Sequence, residues 1–476
     1  MILPSLLTEG IYRHKNGLKH INIVNSDGFS ALFVVTTPIF DNSGVAHGVE
    51  HMVFRRSTAF PKPETLFQLT SLTDAKINAS TCADTTYFHC QSQCYHTFIL
   101  VIRYLLNGLF NPIFDAEDLR CEIHDGHDKG VIYHELIGIE QAEQKTTEAK
   151  NKNNFCYGGI SSSIGKLSLN DLTTFHQRFY HENNITLLTS NADIEQIANL
   201  ITLLPKQTNQ SQQIKTGVDK HIKKSQRNDS NEHPKKYPQA INKLMTLYHL
   251  WLEDPDYQKM YDYTEIEIAN KPLDSDTENL PPSHLISPLI TLSNKLIKDA
   301  KNDRGIKISA SKPSLPHLFN TLYQQAKQSL TSNELNHQRN VACASDQHNA
   351  LWLVNIGDTE QEIANITSYI ISAYPMFLAP RYQGLCYATQ ALTIEDSTYL
   401  AIYSAFDVNP DTRLKEVNLC LLRLSQDNSF INTSLALAKI KYCRTYLVSN
   451  SQVINITSTH IANYLQMLVK NHHPKV

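Results

Sequence analysis

Apolar and polar positions follow two different periods along the first two hundred residues. Short apolar runs at Ile21–Val24, Ala31–Thr36, Ile77–Thr81, Thr85–Cys90 and Ile185–Ser190 read as strands. Helical spacing predicts helices over Tyr95–Phe110 and Val131–Lys145, and a third running to Tyr180 from Ser168, an N-cap with Asp171 three residues on. After Leu204 the pattern breaks. Pro205–Lys236 is rich in Gln, Asn, Ser, Lys and His and reads as an exposed linker. From Ala240 to about Asn340 the spacing is mainly helical, broken at Pro281-Pro282 and Pro313–Pro316. Order returns with a strand at Ala350–Ile356, a helix at Glu360–Ala373, an alternating strand at Ser397–Phe406 and two closing helices. The expected fold class is α+β, with units at 1–204 and 346–476 separated by a polar linker at 205–239 and a helical middle segment at 240–345.

Into this pattern falls one short run with chemical meaning. His47-Gly48-Val49-Glu50-His51 reads H-x-x-E-H. On a helix the two histidines are four residues apart, so both imidazoles leave one face toward one point, with Glu50 on the adjoining edge. A catalytic zinc needs three protein ligands, an open position and a nearby carboxylate that takes a proton without occupying the metal. His47 and His51 supply two ligands and Glu50 a general base. The competing reading is a surface helix that carries these residues without a task.

Spacing does not choose a third ligand. Glu122, His124, Asp125, His127, Asp128, His134, Glu135 and Glu140 crowd the following stretch. A helix from Val131 would bury Val131, Ile132, Leu136 and Ile139 and leave Glu135 beside that apolar stripe, where a carboxylate is costly unless paired or bound.

The flanks of the motif carry a resemblance. Gly44-Val45-Ala46 before it and Met52-Val53-Phe54 after it resemble the G-x-A-H-x-x-E-H-M-x-F block of the pitrilysin/insulinase family of zinc peptidases. Asn78-Ala79-Ser80-Thr81 and Asp84-Thr85-Thr86-Tyr87 resemble that family's N-A-x-T and D-x-T-x-Y strands. Lys129-Gly130-Val131-Ile132-Tyr133-His134-Glu135-Leu136 resembles its K-G-V-V-x-x-E-M helix; with Gly158-Gly159, it points to the presequence-protease branch. Pro380–Tyr387 resembles the R-x-x-G-x-x-Y segment of the final domain, and Ile402–Pro410 its S-Y-R-D-P-N strand without the arginine.

The resemblance implies two related α+β sandwich domains and one zinc per chain on His47, His51 and Glu135. It also implies a substrate strand against the edge near Asn78 and Ala79, with Arg381 and Tyr387 donating to the oxyanion. The chain is shorter than single-chain presequence proteases, so the expectation is a shortened member. A homodimer or a family partner subunit would then rebuild a closed chamber, Arg381 and Tyr387 of one subunit facing the zinc of the other. Arg55-Arg56-Ser57 replaces a small-residue turn after the motif.

Composition removes other classes. A formal net charge of -3 without a basic stripe gives no nucleic-acid groove. The most apolar run, Phe98–Leu106, is interrupted by Arg103 and too short for a bilayer, and Met1–Leu7 lacks signal-peptide features, so a cytoplasmic, non-membrane protein is expected. Nine scattered cysteines suggest reduced thiols. His89, Cys90, Cys94 and His96 lack the spacing of a zinc knuckle and read as ordinary buried positions.

The expected function is a zinc-dependent endopeptidase acting on short unfolded peptides. The alternative is a non-catalytic peptide-binding or partner subunit of a family heterodimer. A third reading, a protein in which zinc is structural, leaves Glu50 without a task.

Overall fold

The computed structural model describes residues 5–8, 10–23, 28–82, 84–124, 130–144, 156–204, 285–299, 341–345, 349–356, 361–394, 399–446 and 448–470. The expected linker and nearly all of the expected helical middle segment lie outside the described residues, so the boundaries drawn through them do too.

The first part runs β1 (Ser5–Thr8), β2 (Ile11–Arg13), β3 (Lys19–Ile23), β4 (Phe29–Thr36), α1 (Val45–Arg55), α2 (Thr65–Leu72), β5 (Lys76–Thr81), β6 (Thr85–Ser92) and α3 (Tyr95–Phe110). It continues through α4 (Ala116–Glu122), α5 (Val131–Gln144), α6 (Ser161–Ile164), α7 (Leu169–Phe179), β7 (Ile185–Ser190) and α8 (Ile194–Thr202). After α9 (Ser287–Asp299) come β8 (Val341–Ser345), β9 (Asn349–Asn355), α10 (Gln361–Ala373), α11 (Pro375–Tyr382), β10 (Ala388–Thr393) and β11 (Tyr399–Ala405). The chain then enters α12 (Pro410–Gln426), α13 (Asn428–Tyr446), the single turn α14 (Asn450–Val453) and α15 (Ser458–Lys470).

Two sheets result. The larger has the order β1-β2-β3-β7-β4-β6-β5, and the smaller β10-β11-β9-β8. Strand pairs are antiparallel except β3 with β7. This parallel pair departs from the simple antiparallel layer the sequence suggests. It arises because β7 follows a long helical excursion and enters between β3 and β4.

Period two explains how each sheet is covered. In β4, Ala31, Phe33 and Val35 point into the main core, while Leu32 joins Ile11, Ile21, Tyr87 and Leu188 on the opposite face. In the second sheet, Trp352, Val354, Leu400 and Ile402 belong to that same main core, while Leu351, Leu353, Ala401 and Tyr403 form a cluster behind it. One continuous apolar core therefore receives one face of each sheet, together with α2, α3, α10 and α13. Polar bonds cross it as well. Gln68 Nε2 donates to the Ala373 carbonyl at 3.2 Å, and half-buried Lys441 donates to the carbonyls of Thr70 and Ser71 at 2.8 and 3.1 Å. Lys441 thereby satisfies the end of α2, where lone carbonyls attract a cation.

Several helices follow from local chemistry. Ser168 and Asp171 form the reciprocal capping box expected from their spacing. Val131, Ile132 and Leu136 of α5 are buried as expected, whereas Ile139 has its side chain outside the described residues. Three long helices and one single turn close the chain where two helices were expected, because Asp427 and Ser449 interrupt the apolar spacing. Helix α11 contains Pro380 and edge strand β10 is only half covered, so neither has a clear period in the sequence. Among the described residues no helix is long and apolar enough to cross a membrane, and Cys82, Cys90, Cys94, Cys121, Cys156, Cys386, Cys420 and Cys443 are free thiols.

Four histidines are held neutral inside the fold. Burial lowers the pKa of His14, His89 and His176 to about 4, and that of His20, next to His14, to about 3. Unfolded, each would bind a proton near pH 6.5. The unfolded chain then binds more protons below that pH, so stability present above 6.5 is lost as pH falls toward 4, by up to about 1.4 kcal/mol per histidine per pH unit. Urea unfolding at pH 7 and pH 5 will show this loss, and His176→Asn will flatten it. An unchanged midpoint between the two pH values would count against neutral burial.

Candidate metal centre

Helix α1 begins at a backbone position few residues accept. Gly44 has φ 75, and a Cβ there would lie 2.7 Å from the Gly158 carbonyl oxygen. Gly159, at φ 88, faces it just as closely, since its Cβ would lie 2.6 Å from the Gly44 Cα. Asn42 fastens the two turns by accepting from the Cys156 N–H at 2.9 Å. The Gly158 carbonyl consequently stands 3.1 Å from His47 Nδ1, leaving Nε2 to face Glu135.

His51 is oriented differently. Its Nδ1 lies 2.9 Å from Glu122 Oε2 at the end of α4, and Glu122 is buried. Its Nε2 also faces Glu135. Both Nε2 atoms lie 3.7 Å from Glu135 Oε2, which α5 supplies, and the two rings stand edge to face, 4.8 Å apart. Among the described residues, His47, His51 and Glu135 are the group whose potential ligand atoms converge, all within 4.8 Å of one another.

The state of Glu135 fits a cation. Its side chain is 26 % exposed, yet Oε2 is buried without a hydrogen-bond partner. Such an oxygen costs about 1–3 kcal/mol or more unless something positive meets it. Charge balance points the same way. Burial lowers the pKa of His51, but the Glu122 hydrogen bond and the charges of Glu122, Glu135 and Glu50 outweigh it and raise the pKa overall. Two imidazole nitrogens and one carboxylate oxygen, with the fourth side open, form the donor set that suits a catalytic zinc.

Two rivals of Glu135 are engaged elsewhere. Glu140 accepts from the N–H and hydroxyl of Ser161, both at 2.8 Å, and Glu122 bonds His51 from behind. Asp125, His127 and Asp128 lie outside the described residues. Cys90 and Cys94 are buried free thiols, as expected, and with His89 and His96 they form no converging group among the described residues.

Glu50 stands outside the triad, buried, with Thr81 Oγ1 donating to its Oε2 at 2.5 Å. Sequence reading placed Thr81 only in a strand motif, although its place at the end of β5 is what brings it under α1. Asn78 and Ala79 lie on β5, an edge of the larger sheet, with Asn78 exposed. The Ala79 N–H bonds Asn78 Oδ1 at 2.9 Å, so it faces the open edge and not β6.

The second half of the chain reaches this site within the same molecule. Arg381 on α11 donates to Glu122 Oε1 at 3.0 Å and lies over the rings of Phe67 and Tyr387. Thus its guanidinium reaches the carboxylate behind His51 from within the same chain. Burial pushes the Tyr387 pKa up to about 12, with Glu135, Glu50 and Glu122 adding and Arg381 opposing, so its phenol stays protonated near the cluster carboxylates. The arginine pair after the motif also has partners. Arg55 and Arg56 both bond buried Asp118, at 2.7 and 2.6 Å.

Comparison with known proteins agrees with this local picture. The sequence profile described as insulinase (peptidase family M16) matches residues 40–136. An uncharacterized protein of Schizosaccharomyces pombe is 26% identical over 171 residues, which cover 33% of this chain and 16% of that protein. The mitochondrial presequence protease of Drosophila melanogaster is 29% identical over 188 residues, 35% of this chain and 18% of the protease. The matches thus span less than a fifth of these relatives' length. Pitrilysin overlays 99% of this chain on 45% of its own at 12% identity, with a TM-score of 0.36, too loose to carry an argument. The matched profile spans the three converging residues, His47, His51 and Glu135, together with the neighbouring Glu50, so over this stretch the chain is similar to the insulinase family, peptidase family M16.

Proposed function

We propose that this chain is a zinc-dependent endopeptidase that hydrolyses short unfolded peptides. The observation that carries the proposal is the convergence of two imidazole Nε2 atoms and a buried, partnerless Glu135 oxygen beside a hydrogen-bonded Glu50. His47, His51 and Glu135 would hold one zinc per chain. When bound, zinc supplies Lewis acidity, polarising the scissile carbonyl and acidifying a water at the open position.

The remaining work belongs to the protein. Glu50 takes the proton of the attacking water and later gives it to the leaving amine. Thr81, bonded to one carboxylate oxygen, holds Glu50 in place and leaves the other oxygen for the water. The Tyr387 hydroxyl, protonated throughout the neutral range, donates where negative charge develops on the substrate oxygen. Peptide backbone adds to the edge of β5 beside Asn78 and Ala79, which favours extended, unfolded substrates and loose sequence preference. In this reading 1–204 is the catalytic unit and 346–476 the substrate-contacting one.

Purified protein should cleave a quenched fluorescent peptide library, lose the activity to a chelator and regain it with zinc. Glu50→Gln will lower kcat about 10²–10⁴-fold while zinc stays bound. Full zinc occupancy in the wild type with no cleavage of any peptide favours the non-catalytic binding or partner role and ends the enzymatic reading.

The strand edge has its own test. Ala79→Pro removes an N–H that faces the edge and not the ladder, which an edge position tolerates. Steady-state kinetics will then show a raised KM with zinc content unchanged. An unaltered KM removes β5 as the substrate edge.

A further inference from the structure

The end of α11 and the turn that follows it lie against the back of the His47–His51–Glu135 group at three points. Arg381 donates to Glu122 Oε1 at 3.0 Å. The Tyr382 carbonyl accepts from Arg55 Nη2 at 2.7 Å, and the same Arg55 pairs with Glu122 Oε1 at 3.2 Å and with Asp118. Gly384, at φ +78, sits so close to the preceding residue of the strut that a Cβ there would lie 2.4 Å from the Cys121 carbonyl oxygen. Residues 118–122 are therefore gripped between α1 and this turn. At the end of the strut, Glu122 holds His51 Nδ1.

We infer that Glu122 and Arg381 are positioning residues through which docking of the C-terminal half sets the orientation and basicity of His51, and so the metal affinity of the site. The inference rests on the zinc reading above. Its physical chain is short. A carboxylate on Nδ1–H fixes the tautomer with a free Nε2 lone pair and makes that lone pair a stronger donor. Glu122 does this while buried among guanidiniums from two separate parts of the chain, which also keep it ionised. Arg381 thus acts through Glu122 and not on the substrate.

Glu122→Gln reverses this arrangement at nearly constant shape. Two guanidiniums claim the amide oxygen, which turns the NH2 group toward His51 Nδ1. A donor there favours the tautomer with hydrogen on Nε2, which opposes metal binding. Arg381→Met leaves Glu122 paired with Arg55 and His51 but frees it from the C-terminal half.

The test measures zinc affinity of the full chain by competition with a chromogenic chelator, together with the visible spectrum of the cobalt(II)-substituted protein. Glu122→Gln is expected to weaken zinc about 10- to 100-fold. Arg381→Met should weaken it several-fold, Arg381→Lys less, and the double variant no more than Glu122→Gln alone. The cobalt spectrum should shift in both single variants, reporting altered ligand geometry that a purely structural role leaves untouched. If Glu122→Gln does not fold, the comparison of Arg381→Met with Arg381→Lys and with Gly384→Ala decides. Zinc affinities within about two-fold of wild type in folded variants, with only the unfolding midpoint lowered, overturn the inference. Failure of the zinc reading looks different: there, the wild type itself binds no zinc, or His47→Ala binds it equally well.

Discussion

A buried carboxylate that must stay charged organises much of this molecule. Glu122 is almost wholly removed from water, and an unpaired charge in such a place would cost several kcal/mol. Its two oxygens are shared among Arg381, Arg55 and His51. Those partners come from α11, from the end of α1 and from the middle of α1. Satisfying one charge therefore requires the C-terminal half, the motif helix and the α4 strut to be in register. Arg55 and Arg56, which stand where the family resemblance leads one to expect small residues, extend the same pairing to Asp118. The two arginines add charge to the contact between α1 and α4.

The two imidazoles of the cluster are supported unequally. His47 leans on a neutral backbone carbonyl, supplied by a glycine turn that fits only because Gly44 and Gly159 both lack side chains. His51 leans on an ionised side chain. A carbonyl fixes direction, whereas a carboxylate fixes direction and also adds electron density to the ring. The site thus has one imidazole set by backbone shape and one set by a charge network that spans the chain.

Part of this was legible in the sequence. The H-x-x-E-H helix is contiguous, and the Ser168–Asp171 cap acts within four residues, so both are read directly from spacing. Strands β4, β6 and β7 were legible because their apolar runs are long. Other features depend on partners far away in the chain. Glu122 meets His51 and Arg381 across separations of 71 and 259 residues, and nothing local distinguishes it from the acidic residues around it. Spacing alone left Glu135 among several candidates, and only the fold shows Glu140 spent on Ser161 and Glu122 turned to the back of His51. Thr81 was visible as part of a strand, but its bond to Glu50 depends on where β5 ends beneath α1. The parallel pairing of β3 with β7 and the half-covered strand β10 likewise reflect tertiary placement with no period of their own.

The edge of β5 has one more consequence. Open strand edges invite pairing with any extended chain, including another copy of the same protein. Here the edge-facing Ala79 N–H is already occupied by the side chain of its neighbour Asn78. An arriving strand must exchange that bond for its own, so the net gain at this position is small and pairing succeeds only where further contacts add to it. A short polar side chain folded back on its own backbone thereby gives the edge a threshold, closed to casual association and open to a chain that is held elsewhere as well.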